Sequence, residues 1–79
     1  MHQELSSAQR AIELVKIVQM LYQMGEIEPF QKKELANQIK VCSTGEKEFS
    51  SLVPDFRKLR LGATSAAKRH IDTAIKIAA

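Results

Sequence analysis

Tryptophan is missing from this sequence, and cysteine occurs once, as Cys42. A lone thiol forms no internal disulfide, which excludes a disulfide-stapled scaffold and fits a reducing, cytoplasmic setting. No apolar run approaches the roughly 18 residues that a membrane span needs, so no membrane partner is expected. The stretch MHQELSSAQR lacks the basic start and apolar block of a secretory leader. The three glycines are isolated from one another, which leaves no Gly-rich loop to cradle a phosphate. The two histidines, His2 and His70, are far apart, and the carboxylates are scattered. Neither a metal-ligand spacing nor an acid–base pair results. No neighbour in sequence activates Cys42, which reads as a small core or turn residue. An enzyme is therefore not expected, and neither is a metal or another cofactor.

What remains is a single domain of 79 residues, 44 % apolar and 27 % charged. That is globular composition, with a core that is necessarily thin at this length. The net charge is +3, and it is unevenly placed. Residues 1–39 carry four Lys and Arg against five Glu, whereas residues 40–79 carry eight Lys and Arg against four Asp and Glu. A basic half beside a mildly acidic half points to an anionic partner on one side.

Helical periodicity dominates the chain. Ala11, Leu14, Val15, Val18, Leu21 and Tyr22 share one face of a helix running from about Ser7 to Met24, with Ser6 or Ser7 as its cap and Gly25 as its stop. Ile12, Met20 and Met24 fall off that face. Pro29 suits the first turn of a second helix, whose apolar stripe is Phe30, Leu35, Ala36 and Ile39. Ser43, three residues before Glu46, has the capping-box spacing for a third helix carrying Phe49, Leu52, Val53, Phe56 and Leu59. Pro54 within this run must kink that helix or start a new one. Thr64 or Ser65 caps a last helix, with Ala67, Ile71, Ala74, Ile75 and Ala78 on one face. No alternating strand pattern occurs. The expected fold is all-α, a small bundle of about four helices.

The segment ELANQIKVCSTGEKEFSSLV has the layout of a helix-turn-helix, in which two helices meet across a polar turn. The same layout fits an ordinary αα corner. A second feature is PDFRKLRLGATSAAKRH, with five Lys and Arg and no carboxylate after Asp55. These cations bracket the start of the last helix, where hydroxyls and free N–H groups suit an anion. A solvated basic face is the competing explanation. In the DNA-binding reading the third helix, Glu46 to Arg60, enters the major groove. Lys47, Ser50, Ser51 and Arg57 meet bases, while Phe49, Val53 and Phe56 pack inward. Lys40, Lys58, Arg60, Thr64, Ser65, Lys68 and Arg69 hold phosphates, with Arg57, Arg60, Lys68 and Arg69 forming one edge.

IELVKIVQMLYQMGEI, KKELANQI and FRKLRLGATSAAKRHIDTAIK together resemble the C-terminal domain of RteC-like regulators of Bacteroides conjugative elements. The features that carry the likeness are Leu21, Gly25 and Ile27, then Leu35 and Ala36, Phe56 to Arg60, and Lys68 to Ala74. They span most of residues 12–76. The resemblance implies a helix-turn-helix or winged-helix-like domain that binds double-stranded DNA in a bacterial transcriptional regulator. It also implies that residues 1–79 are a C-terminal piece of a longer protein. The rival expectation is a helical protein-interaction domain that works through Ile12, Met20 and Met24, with a partner protein or a second copy.

Overall fold

Four α-helices form in this sequence: α1 (Ser7–Gln23), α2 (Pro29–Ser43), α3 (Val53–Leu61) and α4 (Ser65–Ala78), with a short 3-10 turn (Phe49–Leu52) ahead of α3. The structure, a computed structural model, describes residues 5–79, and among these it contains no strand. The fold is the all-α bundle expected from periodicity. His2 lies outside the described residues.

Local chemistry sets the helix boundaries. Ser6 caps α1 by accepting the Gln9 N–H at 3.2 Å, while Gln9 Oε1 accepts the Ser6 N–H at 3.0 Å. Gly25 ends α1 at φ +76°, and two bonds close the terminus: Gly25 N–H to the Tyr22 carbonyl and Glu26 N–H to the Leu21 carbonyl. Gly45 ends α2 at φ +87°. A Cβ on either glycine meets nothing within 4 Å. The cost of Gly25→Ala or Gly45→Ala is therefore conformational, about 1–2 kcal/mol for a side chain forced into the left-handed region. Thermal melts of the two variants check this; unchanged melting would show that the turns rearrange freely.

The third helix differs from expectation. Ser43 does not cap it; Ser43 is the last residue of α2, and its hydroxyl donates to the Lys40 carbonyl at 2.7 Å. Residues 44–48 form a non-helical link, and the chain then makes one 3-10 turn before Pro54 opens α3. Proline lacks an N–H, which the first turn of a helix does not need, so it starts a helix here and does not bend one. The continuous helix from Glu46 to Arg60 does not exist.

The core joins all four helices. Leu14, Ile17, Val18 and Leu21 of α1 are buried with Leu35, Ile39 and Cys42 of α2, with Phe49, Leu52 and Phe56, and with Ala67, Ile71, Ala74 and Ala78 of α4. Ile27, between α1 and α2, plugs the same core. Three residues of the expected stripes lie outside it: Val15, Phe30 and the half-buried Ala36. Val15 is 43 % exposed, its place taken by Ile17, and Phe30 is 67 % exposed on the first turn of α2. Ile12 and Met20 on α1, and Met24 just past its end, are exposed, as their off-face spacing predicts. α1 packs on both α2 and α4, and α3 packs on α4. α2 and α3 do not pack on one another; the 3-10 turn touches each of them instead. A tight helix-turn-helix brings its two helices together, and α2 and α3 are not brought together in that way.

Candidate nucleic-acid interface

α3 is buried through Phe56 and half-buried through Leu59. With 3.6 residues per turn, Arg57, Lys58 and Leu61 then project outward. All three are exposed, Leu61 by 87 %. Helical spacing alone assigns no role to Leu61. The signal that marks it is its phase, two residues past Leu59 and therefore off the inward face. On α4 the buried residues Ala67, Ile71, Ala74 and Ala78 leave Arg69 and Lys76 on the outer side.

Arg60 is committed to a partner. Its Nε donates to Asp72 Oδ1 at 2.7 Å, which ties the end of α3 to α4. Each side chain is about half exposed. The hydrogen bond to Asp72, and then the carboxylate's charge, raise the Arg60 pKa above its ordinary value. Lys68 stands one turn before Asp72 on the same flank of α4, so Arg60 and Lys68 sit along the α3–α4 border. Arg57 projects from the outer side of α3 and Arg69 from the outer side of α4.

The start of α4 already holds an acid. Thr64 caps the helix by accepting the Ala67 N–H at 3.3 Å. The Thr64 N–H itself donates to Glu26 Oε1 at 2.9 Å, across 38 positions of sequence. One of the donors expected to meet a phosphate is thus taken by a carboxylate from the α1–α2 turn. Ser65, exposed at the first position of α4, lies beside it.

The expected base-reading residues do not share a helix with Arg57. Lys47 lies in the link after α2, and its Nζ donates to Gln38 Oε1 at 3.5 Å. Ser50 and Ser51 belong to the 3-10 turn. Ser51 donates to the Glu48 carbonyl at 2.7 Å and Ser50 to the Glu48 carboxylate at 3.4 Å. Lys40 is exposed in the last turn of α2. Lys47, Ser51 and Lys58 all line a groove of about 620 Å³ between α2 and α3, together with Glu34 and Asp55. Lys58 also borders a smaller hollow that contains Glu26. Two carboxylates in the groove make it a poor channel for a polyanion. Arg57 of α3 and Arg69 of α4 are not among the residues that line it.

Cys42 is 2 % exposed, and its Sγ donates to the Glu48 carbonyl at 3.5 Å, as a buried turn-side thiol. Among the described residues no cluster of His, Cys, Asp and Glu could hold a metal ion, and no helix is long and apolar enough to cross a membrane. Comparison of the chain with protein-family models, with curated proteins and with solved structures gives no match.

Proposed function

We propose that this chain is a DNA-binding domain of a bacterial transcriptional regulator, of the kind implied by its resemblance to RteC-like proteins of conjugative elements. Lys68 and Arg69 carry the reading. They stand near the N-terminal, positive end of α4, where a cation gains nothing from the helix dipole. Neither has a carboxylate partner among the described residues, in which Lys16 and Arg60 are the only cations in ion pairs. Lys58 and Arg60, by contrast, suit the negative end of α3 and need no other reason to be there. Duplex phosphates would meet Arg57, Lys68 and Arg69, with Ser65 and Lys40 as further contacts. Leu61 lies beside Arg57 and Lys58, where an apolar side chain can touch a thymine methyl. Lys47 and Ser51 line the groove beside Glu34 and Asp55, where the acids repel DNA, so they and the neighbouring Ser50 read no base in this arrangement.

A fluorescence titration against a random duplex at two salt concentrations tests the proposal. Binding at low salt that weakens steeply as salt rises is expected, because neutralising phosphates releases counterions. Absence of binding at low salt would overturn it. That result would favour the second reading, a helical interaction domain, which draws on the exposed Ile12, Val15 and Met20 of α1 and on Met24 at its C-terminal end.

A further inference from the structure

The α2–α3 groove presents an unusual combination of groups. Its floor includes Leu35 and Leu59, and Phe30, 67 % exposed, stands on its rim. Its walls carry two acids, Glu34 and Asp55, and two bases, Lys47 and Lys58. None of these four charged groups is in an ion pair among the described residues. An exposed phenylalanine beside an apolar floor is both an anchor and a receptacle for one. Two unpaired acids and two unpaired bases make the rim complementary to itself.

We propose that this groove is the contact between two copies of this chain, related by a two-fold axis. In an isologous contact each patch meets its own copy, so a residue and its counterpart exchange roles across the axis. Phe30 of one copy enters the groove of the other and covers Leu35 and Leu59. Glu34 of one copy lies opposite Lys58 of its mate, and the same pair recurs on the other side of the axis. A polyanion does not suit the groove, because Glu34 and Asp55 repel it. A strongly acidic or strongly basic peptide leaves half of the rim charges facing their own sign. Only a partner with balanced charge satisfies both, and a second copy supplies that balance with an anchoring ring. Self-association of this kind does not depend on DNA binding and is tested without DNA.

Light scattering coupled to size exclusion, over a concentration series into the millimolar range, reads the contact. Wild type is expected to pass from monomer to dimer as concentration rises. Phe30→Ser is expected to raise the dissociation constant at least tenfold while leaving the melting temperature unchanged, because the ring is exposed in the monomer. Glu34→Lys and Lys58→Glu should each weaken the dimer. The double variant Glu34→Lys/Lys58→Glu should recover much of it, since the charges are exchanged and not removed. A wild type that stays monomeric throughout overturns the proposal. So does a dimer indifferent to Phe30→Ser, which would move the contact to another face such as Ile12 and Met20. Failure of the double variant to recover would refute the Glu34–Lys58 pairing and the two-fold arrangement built on it.

Discussion

Phe56→Ala is expected to destabilise the domain by about 3–5 kcal/mol, the largest effect of any single truncation. Phe56 is the largest side chain that is fully buried, and it belongs to the one cluster that joins every helix. Truncation removes apolar surface from a dry interior and leaves a cavity that neighbours fill only partly. Domains of this size have a total stability of about 5–15 kcal/mol, so the loss is a large share of it. Denaturant unfolding of wild type, Phe56→Ala and Phe56→Leu measures the effect, with the leucine variant expected to fall in between. Leu21→Ala, at a site that is equally buried, should cost about 2–5 kcal/mol by the same mechanism. Wild-type melting of Phe56→Ala would mean that α3 does not dock as described.

The second large effect concerns DNA. Replacing Arg57 and Arg69 together by alanine is expected to weaken binding to all duplexes alike. It should also flatten the dependence of log K on log salt by up to about two units, at roughly 0.9 for each phosphate no longer neutralised. Both side chains are exposed and neither has an ion-pair partner among the described residues, so their removal leaves the fold intact. Arg60 is the wrong residue for this test. Its removal strands Asp72 and loosens the packing of α3 on α4, which confuses binding with stability. Circular dichroism of the double variant establishes that it is folded, and a salt titration on one duplex gives the slope. A folded double variant with wild-type affinity and slope would reduce the basic stretch to a solvated surface.

The helices were legible because their buried positions recur every three to four residues. Leu14, Val18 and Leu21, and later Ala67, Ile71, Ala74 and Ala78, announce their inward faces without tertiary information. The errors sit where two local signals compete. Ser43 has the spacing of a cap, but Gly45 at positive φ ends α2 after it and the next helix waits for Pro54. Phe30 is apolar and close to the stripe of α2, but it lies on the first turn with no helix opposite, since α3 stands away from α2. The location of the positive charge was legible too. Its availability was not, because the acids that qualify it come from distant positions. Asp72 takes Arg60 from the next helix, and Glu26 reaches Thr64 from a turn between two others. Sequence spacing does not encode such pairs.

The bond from the Thr64 amide to Glu26 has a kinetic consequence. It and the packing of α1 on α4 close a loop that contains nearly all of the intervening chain. The α1–α2 hairpin can form locally, but its core face stays open until α4 arrives from far along the sequence. Closing so long a loop carries an entropy cost that the local α1–α2 pairing does not, so the α1–α4 contacts are expected to form after it. Once closed, α1 holds both α2 and α4, and α4 holds α3. No helix can then detach without uncovering the cluster shared by the rest, so the domain unfolds as one cooperative unit.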